Sequence, residues 1–283
     1  MKLVAIGGGH GTAVVVEAAT QLDAEVTAIV SVADDGGSSG KLRTAFDIPA
    51  VGDVRRCIGS ACLPTVRDYL ERRVGFDSHP IGNLLLIAAL REAGGDLTRA
   101  SDVVAELVGA SSRVRVVPVT NTPVDVCGET PTGPIFGQTN VHNSPSVIRL
   151  SVVPSTVTAT TEAIEAILKA DIVVLGPGSH FTSVLAALVV PGIREALHTT
   201  SAQSLWVANL LNIENESRFL GPANALQSVR EHGVFPDVAL VDDTLGACDL
   251  EDISVVRGSF ASPNLRTHLV NRLAPVLQSL VAD

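Results

Sequence analysis

Lysine is almost absent from this 283-residue chain: three Lys stand beside 17 Arg, and the 20 bases face 30 acids. A formal charge of −10 leaves no surplus of cations to displace counterions from a polyanion, which excludes a non-specific nucleic-acid binder. Aromatic residues are scarce too, seven Phe with one Trp and one Tyr, so no platform for base stacking is expected. The four cysteines, Cys57, Cys62, Cys127 and Cys248, show no CxxC spacing and read as free thiols of a reducing compartment. Long apolar runs are missing: Leu84 to Leu90 is far shorter than a bilayer span. The opening MKLVAIGGG is not expected to act as a signal peptide, having no basic region followed by an apolar stretch and a cleavage site. A cytoplasmic protein without membrane insertion is expected. Disorder is excluded as the general state by 46% hydrophobic and only 18% charged residues. The preference for Arg is mostly that of a GC-rich genome, although single arginines suit bidentate binding of phosphate or carboxylate.

What is present is a β/α alternation. Leu3 to Ile6 reads as a strand entering Gly7-Gly8-Gly9-His10-Gly11, then an apolar helical stretch to about Leu22. Val26 to Val32 reads as a second strand, ending in Ala33-Asp34-Asp35-Gly36-Gly37-Ser38-Ser39-Gly40. Parallel neighbours need a crossover helix, so this opening predicts a parallel, helix-covered sheet. Gly52 to Gly109 reads as helical, with Leu84 to Leu90 apolar nearly all round and expected to be buried. Thr120 to Ser146 follows a strand at Val114 to Val119 and has no helical period; it reads as short hairpins forming a lid. Strands at Val147 to Val153, Ile172 to Leu175, Ser204 to Leu210, Val238 to Val241 and Ile253 to Val256 follow. Helices are expected at Thr160 to Lys169, Phe181 to Val190 and Asn264 to Val281. The fold class is α/β: one Rossmann-like domain over residues 1–283, a doubly wound, mainly parallel sheet with helices on both faces and an inserted β-hairpin lid near 120–146.

Three glycine-rich turns carry the chemistry. Gly7 to Gly11 sits after the first strand, where bare backbone and a helix N-terminus can approach a pyrophosphate. It departs from G-x-G-x-x-G, because Thr12 takes the place of the third glycine, and it has no P-loop Lys. Asp34 and Asp35 follow the second strand, where a carboxylate can accept ribose hydroxyls or hold Mg²⁺ together with phosphate oxygens. Gly36, Gly37, Ser38 and Ser39 offer N–H and hydroxyl donors to phosphate. Gly176-Pro177-Gly178-Ser179 repeats the turn on a later strand, and two such turns in one sheet point to a ligand with a central diphosphate. Gly52-Asp53-Val54-Arg55-Arg56 opens a helix, with Asp53 a plausible N-cap and Arg55 or Arg56 in reach of phosphate. His79-Pro80-Ile81-Gly82-Asn83 opens another, with Asn83 able to read a base or sugar edge. No nucleophile–histidine–acid set and no zinc spacing can be assembled.

Together these strings resemble the gluconeogenesis factor (YvcK-like) family, within the superfamily of the 2-phospho-L-lactate transferase CofD. The resemblance rests on the opening glycine turn, VSVADDGGSSGKLR from Val30 to Arg43, Gly52 to Arg55, His79 to Leu84, Gly128-Glu129-Thr130, and VLGPGSHFTSVL from Val174 to Leu185. It implies a Rossmann-like fold, a cytoplasmic protein of cell-shape and cell-wall maintenance on gluconeogenic carbon sources, and UDP-sugar binding without an established reaction. Asn209, Glu216 and Ser217 align with the family pattern. Asp34, Asp35, Asn83 and Asn209 would then orient the nucleoside and sugar, and Arg43 or Arg55 would sit near the diphosphate. The chain departs from the family at His10 (usually Thr), at His180-Phe181 (usually Leu-Tyr) and at Ile213-Glu214-Asn215. A Mg²⁺-dependent transferase using a nucleoside-diphosphate-activated substrate is the alternative. A homo-oligomer is compatible with the apolar content.

Overall fold

The central strands are buried along nearly their whole length, as a sheet covered on both faces requires. The computed structural model describes residues 1–75, 78–210, 216, 220–246 and 248–282. Its strands are β1 (Lys2–Gly7), β2 (Glu25–Val30), β3 (Arg73–Val74), β4 (His79–Pro80), β5 (Val114–Pro118), β6 (Asp125–Thr130), β7 (Gly133–Phe136), β8 (Arg149–Val153), β9 (Ile172–Leu175), β10 (Gln203–Val207), β11 (Val238–Asp242) and β12 (Ser254–Gly258). Seven of them form one sheet, β12-β11-β10-β9-β1-β2-β5, with every neighbouring pair parallel. The chain moves outward from β1 through β2 to β5, returns to the other side of β1 at β9, and runs outward again to β12. That reversal makes the crevice at the carboxyl ends of β1 and β9 a topological switch point, where open parallel sheets bind ligands.

Crossovers of one hand that run in opposite directions put their helices on opposite faces. The first helices are α1 (Gly9–Ala19), α2 (Gly37–Phe46), α3 (Gly52–Ser60), α4 (Pro64–Glu71), α5 (Ile81–Glu92), α6 (Leu97–Leu107) and α7 (Gln138–Asn143). On one face α1 packs against α3 and the closing helix Val270–Ala282; on the other, Thr161–Leu168 packs against Ile193–Thr199. Two helices carry side-chain caps: Asp96 accepts the Arg99 N–H, and Thr160 accepts that of Ala163. Helix α1 has none. Its first N–H groups must find acceptors outside the helix, and Asp53 takes that of Gly9.

Four details differ from expectation. The segment after β5 is a three-stranded antiparallel sheet, β7-β6-β8, with α7 between β7 and β8. So Val147 to Val153 belongs to the lid and not to the main sheet. Helix α5 is not buried all round: Leu84 is 39% exposed and Ala88 also faces out, because α4, α6 and β4 cover only its other side. The stretch after Ser179 is a π-helix, His180–Leu185, continued by Ala186–Leu188. The closing helix begins only at Val270, and residues 264–269 form an irregular strap.

Candidate functional site

At the switch point lies a cavity of about 730 Å³. Gly8, Gly9, His10 and Gly11 form one wall and Pro177, Gly178 and Ser179 another. The two turns touch. A Cβ on Gly11 would overlap the Pro177 carbonyl oxygen, so only glycine lets the first turn approach the second so closely. Gly9 takes a left-handed φ of +63°, another position that favours glycine. Asn209 accepts the Gly178 N–H at 3.2 Å and so fixes the second turn from the end of β10.

Helix α3 brings charge to this wall. Asp53 is buried and pairs with Arg56 at 2.6 Å, while also accepting the Gly9 N–H. Burial raises its carboxyl above the usual range and the neighbouring Asp34 adds to that, against the opposing pull of Arg56. His10 stands at the mouth, where partial desolvation and the Arg56 guanidinium hold its imidazole below the ordinary value. Asp34 lines the cavity and accepts the Gly36 N–H at 3.0 Å.

The chain matches the family model of the 2-phospho-L-lactate transferase CofD over residues 3–254. The chain belongs to the CofD family. It is 35% identical over 252 residues to the "Gluconeogenesis factor" of Halalkalibacterium halodurans, covering 86% of this chain and 76% of that protein. The "Gluconeogenesis factor" of Listeria innocua is 33% identical, over 90% of this chain and 82% of its own length. The crystal structure of a UPF0052-family protein from Bacillus halodurans superposes with a TM-score of 0.90 at 27% identity, covering 98% of both chains.

Several expected site residues of this CofD-family chain stand outside the cavity. Arg55 is 3% exposed and points away from Arg56, bonding Glu71 at 3.1 and 3.0 Å and the Asn83 Oδ1 at 2.8 Å. Asn83 is fully buried and donates to the Ser38 Oγ, which also bonds His79. Ser39 is buried beneath Gly52. Arg43 reaches the Ala33 carbonyl and, at 2.9 Å, Asp125 of the lid sheet. Asp35 accepts both the N–H and the hydroxyl of Thr139, so it holds the lid helix. The string Gly36 to Ser39 is the start of α2, Gly36 being its N-cap. Gly176 closes β9 behind the wall, its φ of +78° beside Val184.

The two adjacent carboxylates therefore go to different neighbours, Asp34 to the cavity and Asp35 to the lid. Among the described residues no three His, Cys, Asp or Glu side chains gather at metal-binding spacing. The Asp34–Asp35 pair does not fit a shared Mg²⁺ site. Among the described residues, no single helix is long and apolar enough to cross a membrane.

Cavity residues that went unrecognised in the sequence come from three places. Gln138, Thr139 and His142 project from α7 of the lid, and Gln138 donates to the Thr182 carbonyl at 3.1 Å. Thr182 and Ser183 come from the π-helix, whose Phe181 and Thr182 amides are accepted by the buried Glu216. Leu265, Arg266, Thr267 and His268 come from the strap. Ser217 and the altered 213–215 stretch lie outside the described residues.

Proposed function

We propose that this chain binds a nucleotide sugar, a UDP-sugar in the first instance, with its diphosphate across the two glycine turns. The observation that carries this is their contact at Gly11 and Pro177, which sets the two glycine turns side by side on one cavity. The start of α1, where Asp53 takes the Gly9 N–H, adds its remaining N–H groups and the positive end of its dipole. Arg56 supplies a guanidinium that suits phosphate, and Asp53 holds it in place. Strong negative net charge is no obstacle, because the donors act at contact distance in a partly dry cavity. The role is that of a cytoplasmic, non-catalytic factor that couples nucleotide-sugar supply to cell shape and cell-wall synthesis on gluconeogenic carbon sources.

Calorimetry with UDP-N-acetylglucosamine, UDP-glucose and GDP tests this. Saturable binding of a UDP-sugar is expected; binding of none of them overturns it. Transfer chemistry is a second reading, favoured by the raised carboxyl of Asp53 in the cavity wall. In that reaction an acceptor oxygen bonds to the β-phosphorus, the bond to the bridging oxygen breaks, UMP leaves, and Asp53 takes the acceptor's proton. Phosphorus NMR of the incubated mixture would show UMP if it occurs.

A further inference from the structure

The strap between β12 and the closing helix is held by a residue that is itself outside the cavity. Asp242, at the carboxyl end of β11, is 1% exposed. Its Oδ2 accepts the N–H groups of Phe260 at 2.6 Å and Ala261 at 2.7 Å, while its Oδ1 accepts the N–H and hydroxyl of Thr244. Burial pushes this carboxyl up, but the donors around it outweigh burial and the net direction is down. Beyond Ala261 the strap closes on itself: the Leu269 N–H reaches the Phe260 carbonyl at 2.7 Å, and Ala261 pairs antiparallel with His268. The His268 ring is bonded to the Ala208 carbonyl, next to Asn209. The strap starts at the sheet edge and ends on a helix packed against α1, so it must cross above the switch point. Its tip, Leu265 to Thr267, forms a cavity wall, with Leu265 in a left-handed conformation.

We infer that Asp242 is a positioning residue of the ligand site: through its bonds to Phe260 and Ala261 it sets the strap as the third wall of the cavity. Ligand affinity depends on it although it does not line the cavity. This rests on the nucleotide-sugar reading. The N–H donors at residues 260 and 261 fix the base of a ten-residue loop, and a small swing there moves the tip off the ligand. Positioning losses of this kind appear as binding losses, because the bound geometry must then be restored at the ligand's expense.

Asp242→Ala removes both carboxylate oxygens, so the Phe260 and Ala261 N–H groups lose their acceptor together with Thr244. Thr244→Val removes only the hydroxyl and leaves the strap bonds intact. Calorimetry with UDP-N-acetylglucosamine is expected to show binding weakened about tenfold or more in Asp242→Ala and nearly unchanged in Thr244→Val. A purely local role in the turn 243–245 would make the two variants alike. In the wild type, the same ligand is expected to slow hydrogen exchange at the Phe260 and Ala261 amides, which decides the matter if Asp242→Ala does not fold. Unchanged affinity in Asp242→Ala, equal losses in both variants, or no ligand effect on those amides would overturn the inference while the wild type still binds. Absence of binding by the wild type overturns the nucleotide-sugar reading and this inference together.

Discussion

Arg55 and Arg56 are neighbours in one motif, yet they belong to opposite kinds of polar cluster. Around Arg55 the donors and acceptors are matched: Glu71 takes two of its bonds, Asn83 a third, and Asn83 passes the chain on to Ser38 and His79. Around Arg56 they are not. Its Nη1 meets Asp53, its Nε is buried without a partner, and the side chain lines the cavity. A matched buried network specifies a fold, whereas an unmatched group at a cavity wall is open to a ligand. The histidines differ in burial. His180 and His268 are buried, whereas His10 stands exposed at the mouth.

The sharpest way to break this contrast is Arg55→Ala. It leaves Asn83 buried without its partner and is expected to cost about 2–3 kcal/mol in denaturant unfolding, with ligand affinity lost only in proportion to unfolding. An effect on binding without an effect on stability would put Arg55 in the site. Next comes acidity. Burial pushes His268 down to about 4 and His180 to about 3, so both are neutral when folded and take up protons when unfolded. The unfolded chain binds more protons below an ordinary histidine value of about 6.5, so stability is lost as pH falls from there toward 4. Unfolding midpoints between pH 7 and pH 4 measure the slope, and His268→Gln should flatten it.

Arg56→Gln should act mainly on the ligand: about tenfold weaker UDP-sugar binding, with a stability loss smaller than that of Arg55→Ala because Gln can still donate to the buried Asp53. Comparable losses in both quantities would show that Arg56 is a structural residue. Glu71→Gln should have the smallest effect, below about 1 kcal/mol, because the Glu71 side chain is 44% exposed and the pair is screened on that side.

Much of the fold could be read from sequence because apolar strands alternate with glycine turns, and parallel pairing then leaves few topologies. Both glycine turns were legible as well, since Gly11 and Gly178 answer to a close approach of backbones. Which face of a short helix meets the cavity was not. Over the nine residues of α3, the positions of Arg55 and Arg56 differ by about 100° in direction, and tertiary packing alone decides between them. Asp35 looked like a ligand residue because a carboxylate after a strand serves a ligand or a helix start equally well, and here it serves Thr139 of the lid. The strap was hidden by Leu265, Leu269 and Leu273, whose spacing mimics a helix until Leu265 turns left-handed. Gln138 and His142 reach the cavity only through the folding of the lid, which no local pattern announces.

Hydrogen–deuterium exchange with and without UDP-N-acetylglucosamine tests the central claim most directly, because it reports both turns at once. Slower exchange is predicted at residues 8–11 and 178–183 together, with none at residues 55–59 or 81–90. Protection of only one turn, or of the Arg55–Asn83 region instead, would contradict a diphosphate held between the two turns.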